Sequence, residues 1–245
     1  MLPYLHVGPL IIQLSGLALL AGLWIGTSLV EQESLRLRID AEAVLNIILY
    51  GLVGGLVGAR ALYAVEHINA YIAAPLGLLS LSATALDLPG GLLVGSALAF
   101  FHGRRRRLPL RPTLDALAPG LAVMLIAGAA ANLLSGNGYG SPSRVPWAIF
   151  LWGEYRHPTQ IYELVLAAAV LLVWKYRPPS WRASGRGFWT VVGLSAAVRL
   201  FSEGFHADSA LLVGGIRLVQ IAALVILAAA MVMSRRWAQA DLEAG

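Results

Sequence analysis

Apolar stretches long enough to cross a bilayer recur along this chain, and they leave few folds open to it. Windows near 10–30, 43–66, 88–102, 113–135, 158–176, 187–206 and 214–234 are apolar over most of their length. A helix needs roughly 20 such residues to traverse about 30 Å of hydrocarbon. The third window is short and Gly-rich, and the apolar stretch 72–86 offers it an extension towards the N-terminus. Of the 245 residues, 58% are hydrophobic and 13% charged, whereas a soluble domain carries about 25% charged residues. The chain is therefore expected to be all-α, a polytopic membrane protein with about seven transmembrane helices, forming one integral domain over 1–245. No fixed-period repeat divides it. The opening MLPYLHVGPL lacks a basic leader region, so no cleavable signal peptide is expected. With no cysteine, disulfides, thiolate nucleophiles and thiolate metal sites are excluded.

The basic residues predict the orientation. Arg36 and Arg38 follow the first window, Arg104, Arg105, Arg106, Arg107 and Arg111 follow the third, Lys175, Arg177, Arg182 and Arg186 surround the connection between the fifth and sixth, and Arg235 and Arg236 follow the seventh. The opposite loops offer Arg144 and Arg156. The positive-inside rule then places the N-terminus outside and the C-terminus in the cytoplasm. The four consecutive arginines read as a topology anchor near anionic headgroups rather than as a nucleic-acid patch. Trp147 and Trp152 on one side, and Trp174, Trp181 and Trp237 on the other, fit two interfacial belts.

Some charges remain in the membrane. Arg60, Glu163, Arg199, Glu203 and Arg217 fall inside or at the ends of the windows. A charge at the bilayer centre costs about 2.5–3.5 kcal/mol, so each needs an interior partner or a water-filled cavity. One Arg–Glu pair is explained by two helices locked together; several point to a polar cavity. The sixth window contains VRLFSEGFHAD, where the spacing places Arg199, Glu203 and His206 on one helix face and lets Gly204 admit a close neighbour. A guanidinium there suits a phosphate, and His206 suits either a base or a neutral donor. In the second window, Gly51, Gly54, Gly55 and Gly58 form small-residue ridges for helix packing, while Arg60 and Tyr63 add polar groups that packing does not explain. The octet RHPTQIYE, residues 156–163, opens the fifth window. Pro158 suits the first helical turn with His157 at or before the cap, and Thr159, Gln160 and Glu163 share a face. No metal-ligand spacing is present, since His157 and Glu163 are not arranged as H-E-x-x-H. No cofactor is expected.

Taken together, these segments resemble the prolipoprotein diacylglyceryl transferase family. RHPTQIYE is close to that family's long motif R-H-P-S-Q-L-Y-E. GPLIIQLSGL, ILYGLVGGLVGARALYAV, LDALAPGLAVML, PWAIF, and VRLFSEGF with VGGIRLVQ correspond to further family segments in order. The resemblance implies seven membrane helices with the N-terminus outside, in a bacterial-type plasma (inner) membrane. It also implies transfer of the diacylglyceryl group of phosphatidylglycerol to the lipobox cysteine of prolipoproteins. Arg60, Asn132, His157, Gln160, Tyr162, Glu163, Arg199 and Glu203 carry over. The pattern breaks where the family has His, Arg, Asn, Glu and Tyr and this chain has Pro89, Ala129, Ser135, Asn137 and Ser15, and where a further family Arg is His206.

Two readings stay open. In the first, the chain is a transferase: His157, Glu163, Glu203 and His206 are the candidate catalytic residues, and Arg60, Tyr63, Asn132, Gln160, Tyr162 and Arg199 the candidate substrate contacts. Arg199 and Arg60 hold the phosphate, His157 or His206 is the base, and Glu163 or Glu203 orients it. In the second, a non-catalytic paralogue binds phospholipid or a lipoprotein signal segment in the same cavity. A transporter is the weaker third, because the chain lacks inverted halves. The expected partners are phosphatidylglycerol, a prolipoprotein signal segment and the bilayer, with no nucleic acid.

Overall fold

The structure is a computed structural model that describes residues 4–7, 10–73, 77, 86–207 and 217–243. Seven long helices dominate it: α1 (Leu14–Arg36), α2 (Ala41–Glu66), α4 (Leu88–Arg105), α5 (Leu110–Ser135), α6 (Thr159–Lys175), α7 (Arg186–Glu203) and α8 (Leu218–Glu243). A short α3 (Ile68–Ala73) follows α2, and two small hairpins pair β1 (Tyr4–Val7) with β2 (Leu10–Gln13) and β3 (Ile149–Leu151) with β4 (Glu154–Arg156). Helices α1, α2, α5 and α8 are long and apolar enough to cross a membrane by length and composition. Helix α6 has 17 residues, about 26 Å at 1.5 Å per residue, and α7 carries Arg199 and Glu203 in its last two turns.

The chain divides into two compact units, Met1–Leu37 with Leu110–Gly245, and Arg38–Pro109. In the larger unit α1 lies on α5, α5 on α6 and α7, and α7 on α8. Small residues set these contacts: a Cβ at Gly22 would overlap that of Ala127, and one at Gly120 would stand 2.7 Å from Val30 Cγ2. Ala118, Ala122, Val170, Trp174 and Val191 form the core between α5, α6 and α7. In the smaller unit α2 packs on α4 through the predicted glycine ridge. A Cβ at Gly55 would meet the Gly91 carbonyl oxygen at 3.1 Å, and one at Gly58 would meet Val94 at 2.7 Å. That ridge does what small-residue ridges do in bilayers, where helices associate by close contact rather than by exclusion of water.

Burial runs opposite to a soluble protein's. The buried apolar side chains are chiefly Ala and Val, while Trp24 (74% exposed), Leu93 (73%) and Val225 (62%) face outward. Such continuous apolar surface would make a water-soluble monomer associate; against acyl chains it is the solvated face.

The structure shifts several boundaries. Residues 10–13, read as the start of the first membrane helix, form β2, and α1 begins at Leu14. The run LIIQ is short and half β-branched, and periodicity cannot separate such a run from a helix. The extension of the third window falls on residues 74–76 and 78–85, outside the described residues. Helix α4 begins at Leu88 under an Asp87 cap that accepts the Gly90 N–H at 3.3 Å. Helix α8 continues past Arg235 and Arg236 to Glu243, its last turns tied by Asp241 to Arg111 at 2.8 Å.

Arg177, read from the sequence among the loop charges, has a side chain only 7% exposed. It pairs with Glu33 of α1, lies 4.2 Å over the Trp174 ring, and donates to the Trp174 carbonyl at 2.9 Å. Beside it Asp115, wholly buried, accepts the N–H groups of Gly185 (2.8 Å) and Phe188 (2.9 Å) and so satisfies the start of α7.

Candidate functional site

The opposite end of α6 and α7 carries the polar cluster. The chain leaves α5 through Gly136 and Gly138, both at positive φ, and passes Gly140 on the way to the β3–β4 hairpin. Gly140 forms an isolated bridge with His206, and Ser141 N–H donates to the Phe205 carbonyl at 2.7 Å. A Cβ at Gly140 would stand 2.7 Å from that of His157, so only glycine fits this crossing. The hairpin turns at Trp152 and Gly153, both with positive φ (56° and 84°), as a two-residue turn of matching twist requires.

Helix α6 is then pinned by its own first residues. Thr159 and Gln160 are wholly buried. Thr159 Oγ1 donates to the Gly138 carbonyl at 2.6 Å, and Gln160 Nε2 donates to the Asn137 carbonyl at 2.9 Å. Pro158 is the N-cap, with Thr159 the first helical residue, one position later than the sequence suggests. Gln160 is a candidate substrate contact, and its amide is engaged by the loop.

One turn on, Glu163 accepts from Arg199 Nη1 at 2.8 Å and from Ser202 Oγ at 2.8 Å, both on the same Oε1. Arg199 Nη2 lies 2.9 Å from Glu203 Oε2. The Glu203 side chain is wholly buried, yet among the described residues no aligned N–H or O–H points at either carboxylate oxygen, and its contacts there are ion pairs. Arg217 approaches from the start of α8, 3.9 Å from Glu203 Oε1, and donates to the Glu203 carbonyl. Two carboxylates and two guanidiniums thus form one network across α6, α7 and α8. The Arg199 side chain remains 41% exposed, which leaves it reachable by a ligand.

His206 is not on the helix face expected for it. Helix α7 ends at Glu203, Gly204 is its cap, and His206 follows in a turn. The turn folds the imidazole back beneath the helix end, where it is 2% exposed, with Nδ1 3.0 Å from the Ser202 carbonyl and Nε2 3.7 Å from Glu163 Oε1. Among the described residues no other helix comes within 4 Å of a Cβ built at Gly204, which would meet the Phe201 carbonyl at 3.4 Å.

His157 stands apart from the ion pairs. Its ring packs edge-on against Phe205 at 5.1 Å, and its Nδ1 lies 3.3 Å from the Tyr162 hydroxyl, which also accepts the Trp147 indole N–H at 2.7 Å.

A cavity of ≈ 220 Å³ opens between α5, α6 and α7. Glu163, Arg199, Asn132 and Ser195 supply its polar wall, and Met124, Leu125, Gly128, Ala129, Ala167, Val170 and Val198 the rest. Among the described residues no group of three or more His, Asp or Glu side chains is placed to hold a metal ion.

Glu163, the last residue of the RHPTQIYE segment, stands in the polar wall of this cavity. The family model described as prolipoprotein diacylglyceryl transferase matches residues 3–235. This chain belongs to that family. It is 27% identical over 240 residues to the phosphatidylglycerol–prolipoprotein diacylglyceryl transferase of Synechococcus elongatus, covering 91% of this chain and 82% of that one. The protein of the same description from Streptococcus pyogenes is 27% identical over 245 residues, covering 95% and 94%. That from Clostridioides difficile is 25% identical over 210 residues, covering 86% and 84%.

Within this member of the prolipoprotein diacylglyceryl transferase family, a multi-pass membrane protein, the structure brings Asn132, Glu163 and Arg199 to one cavity, joins Glu203 to Arg199 by an ion pair and sets His206 Nε2 3.7 Å from Glu163. His157 and Tyr162 form a second group, linked to the first through Gly140 and Phe205. Arg60 and Tyr63 belong to the smaller unit. There Arg60 Nη2 donates to the Gly77 carbonyl at 2.8 Å, and Tyr63 stacks on His67 at 4.2 Å. Sequence reading missed Ser202, which shares Oε1 of Glu163 with Arg199; a serine inside a polar run carries no signal of its own. It also read Trp147 only as an interfacial ring.

Proposed function

We propose that this chain transfers the diacylglyceryl group of phosphatidylglycerol to the lipobox cysteine thiol of a prolipoprotein, at the cavity between α5, α6 and α7. One observation carries the reading: a part-exposed guanidinium, Arg199, is fixed by two carboxylates at the edge of an apolar slot. The slot suits acyl chains and the guanidinium a phosphodiester, which accepts its paired N–H groups. In the reaction the thiol S–H breaks, sulfur bonds to the glyceryl carbon, and the C–O bond breaks with its electron pair passing to the departing glycerol phosphate. Arg199 meets the charge that develops on that phosphate. His157, Glu163, Glu203 and His206 are the proposed proton-handling and orienting groups. Asn132, Gln160 and Tyr162 are the proposed substrate contacts at this cavity, direct or through the groups they hold; Arg60 and Tyr63, on the smaller unit, are proposed as substrate contacts from the sequence alone.

The reading includes one integral domain over 1–245 in a bacterial plasma membrane, with the N-terminus outside and the cavity towards the outer leaflet. It makes this chain a divergent member, because Ala129 lines the cavity where the family motif has Arg, and Pro89, Ser15 and Asn137 stand where it has His, Tyr and Glu. That same alanine favours a second reading: among the described residues lining the cavity Arg199 is the cation, which suffices to bind one lipid phosphate without catalysing its departure.

The test supplies purified protein with phosphatidylglycerol and a lipobox peptide. Thioether product that disappears in Arg199→Ala supports transfer. Absence of product, with saturable lipid binding weakened by Arg199→Ala, supports the binding paralogue.

A further inference from the structure

Two histidines stand at this site, and their hydrogen-bond partners favour different tautomers. A neutral imidazole has one N–H donor and one acceptor nitrogen, and the partner of one nitrogen fixes the role of the other. His206 Nδ1 lies 3.0 Å from the Ser202 carbonyl, which can only accept. Its proton therefore sits on Nδ1, and Nε2 carries the lone pair. That Nε2 lies 3.7 Å from Glu163 Oε1 and beside Gly138, where a Cβ would stand 3.7 Å from it. A proton taken by Nε2 would be held beside the Glu163 carboxylate.

His157 is held the other way. The Trp147 indole is a donor only, and its N–H is given to the Tyr162 hydroxyl at 2.7 Å. With its oxygen accepting from Trp147, the Tyr162 hydroxyl keeps its own proton available for its other neighbour, His157 Nδ1, at 3.3 Å. In that arrangement Nδ1 accepts and the ring proton is on Nε2, which has no hydrogen-bond partner among the described residues. The two rings are fixed relative to each other through Gly140, whose backbone bridges to His206 on one side and abuts the His157 carbonyl on the other.

We propose that the two histidines divide the proton chemistry. His206, protonated on Nδ1 by the Ser202 carbonyl, is the proton acceptor for the thiol. His157, protonated on Nε2 by the Trp147–Tyr162 pair, is a hydrogen-bond donor to the substrate, and Trp147 is its positioning residue. This rests on the transfer reading above. The S–H proton passes to His206 Nε2 as sulfur bonds to carbon, and His157 Nε2–H donates to an oxygen of the anionic headgroup.

The experiment records two-bond proton–nitrogen spectra of the full-length protein in micelles with nitrogen-15-labelled histidine, the ring signals being assigned from His157→Gln and His206→Gln. A pyrrole-type nitrogen at ε2 in His157 and at δ1 in His206 is expected. Trp147→Phe, which keeps the ring and removes the N–H, should shift His157 towards a tautomer mixture and leave His206 unchanged, and Tyr162→Phe should do the same. His157 protonated on Nδ1, or unmoved by Trp147→Phe, overturns the assignment. In the transfer assay His206→Gln should lower kcat by about 10²–10⁴-fold, the usual worth of a positioned base. His157→Gln, whose amide N–H can replace Nε2–H, should retain more activity than His157→Ala. Full activity of His206→Gln overturns the acceptor role. An inactive wild type with the expected tautomers would overturn the transfer reading while the tautomer assignment stands.

Discussion

Replacing Glu33 by Gln tests the buried Glu33–Arg177 pair as the fastening between α1 and the end of α6. The Glu33 and Arg177 side chains are 3% and 7% exposed, so removing the carboxylate leaves a guanidinium with little water to turn to. Breaking a buried pair by deleting one partner costs about 3–5 kcal/mol. The Trp174 ring 4.2 Å from the guanidinium and the Trp174 carbonyl at 2.9 Å keep part of its stabilisation, which favours the lower end. We expect a loss of about 3 kcal/mol, roughly a hundredfold in the folding equilibrium. The assay is reversible unfolding in mixed micelles of the wild type, Glu33→Gln, Arg177→Met and the Glu33→Leu/Arg177→Met double variant. The double variant should recover part of the loss, because removing both charges also removes their desolvation cost, while Asp115 loses the Arg177 charge beside it. A Glu33→Gln protein within about 1 kcal/mol of wild type, a size typical of exposed pairs, would refute the reasoning.

Gly91→Ala should destabilise the smaller unit by about 1–3 kcal/mol, since its Cβ would stand 2.8 Å from the Gly55 carbonyl oxygen, a backbone atom that cannot step aside; thermal unfolding reads it. Thr159→Val strands the Gly138 carbonyl that Thr159 bonds at 2.6 Å, and should cost about 1–3 kcal/mol, with faster hydrogen exchange through 136–140. Cysteines at Arg144 and Arg182, both exposed, should label from opposite sides of the membrane, Arg144→Cys from outside. Labelling from one side would overturn the proposed orientation. Ser184 is unsuited to that test, because its side chain is buried and bonded to the Trp181 carbonyl at 2.7 Å.

Much of the helical framework is legible in the apolar runs, because crossing hydrocarbon demands length and low charge and both are visible residue by residue. The glycines of α2 are legible for the same reason: a small-residue ridge has one common use. The hairpins are not, since LIIQ and IFL are too short for a period to show. Nor does spacing alone place His206. It puts the histidine on the face of Glu203 only if the helix continues, and α7 stops at Gly204. The Arg199, Glu203 and Glu163 association could be anticipated from the cost of charge in lipid, whereas the engagement of Gln160 by a loop carbonyl could not. Arg177 shows the limit of counting charges: one that tallies as a loop anchor is an interior partner once Glu33 is brought beside it.

An interior of alanine and glycine with leucine turned outward also sets how the protein answers temperature. Water-soluble domains weaken on cooling because exposing apolar surface to water on unfolding carries a large heat-capacity increment. Separating these helices within a bilayer exposes them to acyl chains, not to water, so that increment is small. Stability is then expected to vary nearly linearly with temperature, without the cold-side curvature of a globular core.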